Sequence, residues 1–236
     1  MAFKSFTVED LEVTIYKRRG AGSLRLSIRP DGQVRVTIPM WAPYKSGLDF
    51  VRSRLDWIRE QHLPSSELVQ GQAVGKAHRL IFMAKQGIKT PTSRLQASSV
   101  FVYYPMDSLP GSAEAQAVAL KACKKALKLQ AEKLLPTRLQ ELAQKYGFSY
   151  KDMSVRDLKS RWGSCDAQQH IKFNIYLMQL SWEYIDYVII HELAHTEHMN
   201  HGPEFWSRVA GCSPNYQQLK KELRKHKPVV IAGSVS

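Results

Sequence analysis

The sequence predicts an α+β fold, with a β-rich N-terminal region over residues 1–110 and a mostly helical region over residues 111–236. Strands are indicated in the first region because apolar and polar residues alternate there with a period of two. The second region contains a long stretch rich in Ala, Leu, Lys and Gln, from Ser112 to Tyr146, and these residues favour helices. A short apolar segment, residues 171–177, predicts a strand and hence a small sheet among these helices.

The clearest strand signal in the first region is a hairpin. Residues 24–28 and 34–38 both alternate, and Pro30-Asp31-Gly32 lies between them as a turn. A helix is predicted over residues 46–62, because apolar side chains recur there at spacings of three and four. Further short strands are expected in two places: residues 79–83 and 99–104.

Helix boundaries in the second region follow from capping residues. Ser112 is a suitable N-cap for the long helix, Pro136 is expected to split or kink it, and Gly147 is expected to end it. Ser181 is the predicted N-cap of a later helix that continues to about His198.

Composition and cysteine content limit the class of protein. The chain has 236 residues, 44% of them hydrophobic and 23% charged, so it can bury a core and is not expected to be disordered. Its three cysteines are too few for a disulfide framework, which favours a reducing compartment. There is no signal-peptide pattern, and no apolar run reaches the ~18 residues that span a bilayer. We therefore expect a cytoplasmic protein without membrane contact.

A strong positive charge is the most unusual property of the composition. The chain carries 34 Lys and Arg against 21 Asp and Glu, a net charge of +13, and such a surface attracts polyanions. Lys121, Lys125 and Lys128 recur at helical spacing, and further basic residues cluster over 17–35 and 220–227. No aromatic residues interleave with these clusters as a base-stacking platform would require. The prediction is weak, salt-sensitive binding of DNA or RNA, and the alternative is that the charge only maintains solubility.

A metal site is indicated by His191-Glu192-Leu-Ala-His195 within the predicted helix. On a helix the two histidines lie about 40° apart around the axis and one turn apart along it, so both imidazoles reach one ion. Glu192 projects beside them, close enough to activate a metal-bound water without being a ligand. Neutral imidazoles suit Zn²⁺, and a catalytic zinc has three protein ligands and an open position. The alternative is a solvated helix face with two histidines, which the apolar run before the motif disfavours.

Two residues compete to be the third protein ligand. His198 shares the helix face, but on a straight helix it lies about 10.5 Å from His191 along the axis, too far for one ion. His201 follows in the segment Asn200-His201-Gly202-Pro203, which favours a turn that ends the helix and folds the chain back. His201 is therefore the predicted third ligand, and His198 is expected to lie behind the ligands or to stabilise an oxyanion.

Four segments resemble the YgjP-like metallopeptidase family, which is related to the SprT-like and Spartan-type proteases: Arg161-Trp-Gly-Ser-Cys165, Phe173-Asn174, Tyr187–His195 and Asn200–Trp206. The resemblance covers most of the chain. It implies a zincin-like catalytic region with a small sheet beside the active-site helix, and zinc as the cofactor. It also implies His191, His195 and His201 as metal ligands and Glu192 as the catalytic residue. A Ser often follows the third histidine in this family, and Gly202 stands there instead.

The predicted function is hydrolysis of peptide bonds in a protein or peptide substrate. Zinc would lower the pKa of its bound water, and Glu192 would accept the proton and deliver it to the leaving amine. Tyr216 and His198 are candidate donors to the oxyanion, and Asn174 is a candidate for a hydrogen bond near the site. The strand over residues 171–177 is expected to bind extended peptide by strand addition if it lies at a sheet edge.

Two other functions remain open. One is a module with a structural zinc whose basic surface holds nucleic acid, and the other is a chaperone-like protein that keeps the zinc but cleaves nothing. Glu192 favours the enzyme, because a structural site does not need that carboxylate. By analogy with the SprT-like proteins, the basic surface favours a peptidase that acts on nucleic-acid-associated proteins. Cys165 is a further possible zinc ligand, although three histidines already fill the protein positions, and Phe205 and Trp206 are expected to be core residues.

Overall fold

The computed structural model is an α+β fold, as the alternating and helical segments predict. It describes four stretches of the chain: residues 2–9, 11–28, 33–62 and 67–230. The chain divides into two compact units, Met1–Ser66 and Glu67–Ser236. Within the described stretches, no helix has both the length and the apolar composition that crossing a membrane requires.

The N-terminal unit is a sheet with two short helices. Its elements are, in chain order, β1 (Ala2–Val8), β2 (Leu11–Arg18), β3 (Arg25–Ile28), β4 (Val34–Pro39), α1 (Tyr44–Arg52) and α2 (Leu55–His62). The strand order is β1-β2-β4-β3, in which β2 and β4 are parallel and the outer strands pair antiparallel with them. Val13 and Ile15 of β2 are fully buried and share a core with Val51 of α1 and Ile58 of α2.

The predicted hairpin and the predicted helix of this unit have different outcomes. The hairpin strands do pair, with Ile28 opposite Val34, whereas the Pro30-Asp31-Gly32 turn lies outside the described residues. The single helix expected over residues 46–62 is two helices instead. The chain turns at residues 53–54, where a hydrogen bond to the third residue back replaces the helical pattern.

The second unit begins with a sheet that packs on one long helix. Its strands are β5 (Ala73–Val74), β6 (His78–Lys85), β7 (Thr92–Gln96) and β8 (Ser99–Pro105), in the order β5-β6-β8-β7, and the helix is α3 (Ala113–Tyr146). Val100 and Val102 of β8 lie in the same buried core as Cys123 and Leu127 of α3. The division expected after residue 110 thus falls inside this unit, because strands before that point bury their apolar face on a helix that follows it.

The helix α3 begins and ends where its capping residues predict. The Ser112 hydroxyl accepts a hydrogen bond from the Ala115 amide, and Gly147 ends the helix in the left-handed region with φ of 72°. Pro136 lies inside the helix, which continues past it as one element of 34 residues. The expected split at Pro136 is therefore wrong.

The remaining elements build the part of the unit that carries the predicted metal site. They are β9 (Asp152–Arg156), β10 (Gly163–Cys165), β11 (His170–Asn174), a 3₁₀ helix (Ile175–Gln179), α4 (Trp182–Ala194), α5 (Pro203–Cys212) and α6 (Tyr216–Leu223). The strand predicted over residues 171–177 therefore ends at Asn174, and the 3₁₀ helix follows it. The guanidinium of Arg138 on α3 donates to both carboxylate oxygens of Asp186 on α4, at 2.7 and 2.5 Å, and so ties the two helices together. The strand order is β10-β11-β9. Strand addition at residues 171–177 is therefore wrong, because β11 is central and has a strand on both sides.

Candidate metal centre

The helix α4 carries polar residues into the interior. Ile185, Ile189 and Leu193 are fully buried, and apolar contacts surround most of the helix. Glu192 is consequently also buried, with 5% of its surface exposed. A buried carboxyl group beside two histidines is costly unless it has partners, so this arrangement points to a chemical role.

The helix α4 ends at Ala194, earlier than the predicted end near His198. The amide and the hydroxyl of Thr196 both donate to the Leu193 carbonyl, at 2.9 and 2.8 Å. Hydrogen bonds to the third residue back tighten and stop a helix. The chain can then turn, and α5 begins at Pro203.

This turn brings His201 back to His191, with their Nε2 atoms 3.2 Å apart. Ligand atoms of His191, His195 and His201 all lie within 4.8 Å of one another. Two nitrogen ligands of a tetrahedral zinc ion lie about 3.3 Å apart, given zinc–nitrogen distances near 2 Å. The Nε2 atoms of His191 and His201 therefore already have the spacing of two ligands of one shared ion. The structure brings together the three predicted ligands, and His198 is not part of the cluster.

The orientation of His195 is set by the backbone at His198. The Nδ1 atom of His195 lies 3.1 Å from the His198 carbonyl oxygen, and since a carbonyl only accepts, Nδ1 carries the proton. Its Nε2 atom therefore keeps the lone pair that a metal needs, as is usual for metal-binding histidines. The His198 ring lies 3.7 Å from the Glu204 carboxylate. His198 thus supports the site through its carbonyl, and its side chain pairs elsewhere.

Phe205 of α5 forms an apolar floor beneath all three imidazoles. Its ring centroid lies 5.0, 4.5 and 4.7 Å from those of His191, His195 and His201, and the side chain is fully buried. The next residue, Trp206, stacks on His201 with ring centroids 5.5 Å apart.

Tyr216, a candidate oxyanion donor, is separated from His201 by the Trp206 ring. Its ring stacks on Trp206 with centroids 5.4 Å apart, and Gln217 donates a hydrogen bond to its hydroxyl at 3.4 Å. A different tyrosine, Tyr187, has its ring centroid 6.0 Å from that of His191.

Burial favours the neutral form of His191 and His195. Desolvation, together with the charges of His195, His201 and Lys220, lowers the pKa of His191 to about 3. Desolvation also lowers the pKa of His195. Neutral imidazole is the form that binds metal, so no proton has to be displaced at these residues near neutral pH.

Glu192 lies against β10. A Cβ atom at Gly163 would come within 2.7 Å of the Glu192 Oε1 atom and 2.8 Å of its Cγ, so only glycine leaves room for this carboxylate. Burial raises the pKa of Glu192 to about 8, opposed by the charge of Arg161 and by a hydrogen bond from the Cys165 amide. The role of Gly163 was missed in the sequence, although a glycine inside a strand is a known sign of close approach.

Asn174 and Cys165 hold the loop and strand beside Glu192. Asn174 is fully buried, and its side-chain amide donates to the carbonyls of Leu158 and Arg161 at 2.7 Å each. It therefore fixes the segment that leads into β10. Burial raises the pKa of the Cys165 thiol to about 11, which disfavours the thiolate that zinc requires. Within the described residues, the metal cluster contains histidines alone.

Comparison with known proteins agrees with this geometry. A family model described as "YgjP-like, metallopeptidase domain" matches residues 22–226. The chain belongs to this family. A metallopeptidase family implies a metal ion, and the cluster of three histidines is where this chain could hold one.

Two solved structures resemble part of the chain. The metallopeptidase zymogen abylysin of Pyrococcus abyssi is 22% identical over 39% of this chain and 94% of its own, with a TM-score of 0.36. The metallopeptidase zymogen jannalysin of Methanocaldococcus jannaschii is 16% identical over 38% of this chain and 93% of its own, with a TM-score of 0.35. No curated protein matches the chain.

The geometry predicts different effects for two histidine substitutions. His201→Ala removes a ligand atom and should weaken Zn²⁺ binding by more than ~100-fold, beyond the usual effect of losing an outer partner. His198→Ala keeps the backbone carbonyl that orients His195 and should leave zinc content near one equivalent per chain. Zinc stoichiometry after dialysis measures both. Loss of metal in His198→Ala together with retention in His201→Ala would contradict this ligand assignment.

Proposed function

We propose that this chain is a zinc peptidase that hydrolyses peptide bonds in protein or peptide substrates. The observation that most supports this proposal is the buried Glu192 carboxyl beside the cluster of His191, His195 and His201. Three imidazoles are a donor set that suits zinc and leaves a fourth position for water. Zinc, when bound, supplies Lewis acidity that acidifies water and polarises a substrate carbonyl.

Glu192 is the residue to which we assign the proton transfers of this reaction. It accepts a proton from the attacking water and delivers it to the departing amine. Gly163 lets its carboxyl lie flat against β10, and the Cys165 amide holds it there by a hydrogen bond. A structural zinc site would not need a carboxyl group in this position. A chaperone-like protein that keeps the metal but cleaves nothing would retain it, so activity has to separate those two cases.

The substrate chain is proposed to lie along β10. Among the described strands, β10 pairs only with β11, and its neighbour on α4 is Glu192. An extended peptide that pairs with the free side of β10 would pass in front of the three histidines. The cytoplasmic location remains a prediction from the sequence, and Cys123, Cys165 and Cys212 are all free thiols.

Glu192→Gln should separate catalysis from metal binding. The substitution keeps the shape but removes the base, so peptide hydrolysis should fall by ~10² or more, the scale of general base catalysis. Zinc content and melting temperature should stay near wild type, because Glu192 is not a ligand. Suitable substrates are casein, an unfolded reporter protein and the chain itself. Equal cleavage by both proteins would exclude Glu192 as the base, and loss of zinc would show that it supports the metal directly.

Gly163→Ala tests the placement of this base without changing its chemistry. The added methyl group would meet the Glu192 carboxyl at 2.7 Å, so the strand or the carboxyl must shift. We expect hydrolysis to fall by at least about tenfold, since misplacement of ~1 Å is costly in catalysis. Zinc content should not change. The matched control is Gly211→Ala in α5, where an added Cβ meets nothing within 4 Å; equal activities in the two variants would contradict the proposed contact.

A second candidate function is binding of single-stranded nucleic acid by the exposed face of the sheet that packs on α3. Phe101 and Tyr103 of β8 lie on this face with rings 6.2 Å apart and nearly parallel, and Lys85 lies 5.1 Å from the Tyr103 ring centroid. Arg94 of β7 is the cross-strand neighbour of Phe101. Parallel aromatic rings bordered by cations favour base stacking with phosphate contacts.

This face differs from the surface expected from the sequence. Strand pairing brings aromatic and basic residues of β6, β7 and β8 side by side, and none of these residues belongs to the basic clusters considered from the sequence. The lysines at helical spacing on α3 are a weaker candidate, because Lys128 pairs with Glu132, and Lys124, which lies beside Lys125 in the chain, pairs with Asp157. A peptidase with such a face would act on proteins held on nucleic acid.

Phe101→Ala should weaken binding of a fluorescent 15-nucleotide oligo-dT by about tenfold, since stacking contributes ~1–3 kcal/mol per base. Arg94→Gln should reduce the slope of log affinity against log salt by about 0.7, the value for one phosphate contact on a single strand. Anisotropy titrations at several salt concentrations measure both effects. The control is Phe3→Ala, which removes a 59%-exposed aromatic from the N-terminal sheet. Absence of binding at low salt, or equal loss in Phe3→Ala, would contradict the assignment.

A further inference from the structure

A cavity of about 310 Å³ lies along α6 and is bounded on one side by Trp206 of α5. Its lining consists of the following side chains: Trp206, Tyr216, Gln217, Lys220, Lys221 and Arg224. Trp206 connects it to the metal centre, because its ring stacks on both His201 and Tyr216. A group in this cavity would therefore lie one aromatic ring away from the proposed site of hydrolysis.

All the charged residues that line the cavity are positive. Lys220, Lys221 and Arg224 supply three cations, and no carboxylate is among the lining residues. Within the described part of the chain, none of the three forms an ion pair with Asp or Glu. Lys220 and Arg224 are four residues apart on one helix, a spacing at which like charges destabilise the helix. No carboxylate in the described residues offsets this repulsion.

The aromatic residues give the cavity a fixed shape. The Nζ atom of Lys220 lies 3.7 Å from the centroid of the Trp206 ring, a cation–π contact that holds the ammonium at the wall shared with the metal centre. Tyr216 stacks on the same ring at an angle of 15°. Flat aromatic faces suit the methylene groups of a side chain, and the cations suit a negative group at its end.

We propose that this cavity binds a carboxylate of the substrate, from an Asp or Glu side chain or from the C-terminus of the peptide. This inference rests on the proposed peptidase function for its biological meaning, but the binding itself does not require hydrolysis. Charge-assisted hydrogen bonds from Lys221 and Arg224 would hold the carboxylate, while Trp206 and Tyr216 contact its carbon chain. The enzyme would accordingly select peptides with a negative charge near the bond that is cleaved.

The test uses the zinc-loaded full chain and small probes, observed by the NMR signal of the Trp206 indole N–H, which is assigned with Trp206→Phe. N-acetylglutamate N-methylamide presents a side-chain carboxylate, and N-acetylglycine presents a terminal one. The neutral control is N-acetylglutamine N-methylamide. We expect at least one carboxylate probe to bind about tenfold or more tightly than the neutral probe, the scale of a hydrogen bond to a charged group. The stronger of the two carboxylate probes identifies the source.

Substitutions then locate the binding. Lys221→Gln and Arg224→Gln should each remove most of the preference for the carboxylate probe. Lys225→Gln, an exposed cation outside the cavity, should leave it unchanged. Equal binding of charged and neutral probes would overturn the proposal, and so would binding that survives both substitutions, because the carboxylate would then lie on the metal. Selective binding without peptidase activity would leave the cavity assigned and reject the proposed function instead.

Discussion

The packing of Phe205 beneath three imidazole rings is the contact on which the rest of the site depends. It joins α4, the turn after it and α5 at one point, since His191 lies on α4, His195 caps that helix and His201 lies in the turn. Full burial of such a ring contributes roughly 1.5–3 kcal/mol, which offsets the cost of ordering the histidine side chains. With Phe205 in place, Trp206 is directed between His201 and Tyr216, and the wall of the basic cavity follows from the same contact.

Burial shifts the pKa values of the two kinds of titrating group in the site in opposite directions, and it favours the neutral form of each. It favours neutral imidazole in His191, which is the form that binds metal, and it also favours the protonated form of Glu192, whose pKa rises to about 8. A carboxyl that changes charge in this range suits the proton transfer that we propose for Glu192. The Cys165 amide and the charge of Arg161 oppose this rise and favour the carboxylate.

The basic residues that give the chain its net charge of +13 do not all act on the candidate site to the same extent. On α3, lysines such as Lys124 and Lys128 pair with carboxylates and so contribute little to long-range attraction. Near the metal centre, by contrast, Lys220 lies on an aromatic ring and lowers the pKa of His191, so its charge acts directly on the site. Position, more than total charge, determines which cations act on the candidate site.

Local features of this chain were determined by the sequence alone. The spacing of His191 and His195 follows from the helical repeat, and the limits of α3 follow from Ser112 and Gly147, because these depend on residues within one or two turns. The preference for His201 over His198 came from a turn signal of the same short range, and in the structure His201 joins the histidine cluster whereas His198 does not.

Other features were decided only by the tertiary structure. The contact of Gly163 with Glu192, the pairing of Arg94 with Phe101 and the association of β5 to β8 with α3 all join residues that are distant in sequence. Likewise, α4 ends early at Ala194, although its sequence pattern continues to His198. A linear pattern records which face of an element is apolar, but it does not record which other element covers that face. Only packing of the whole chain makes that choice.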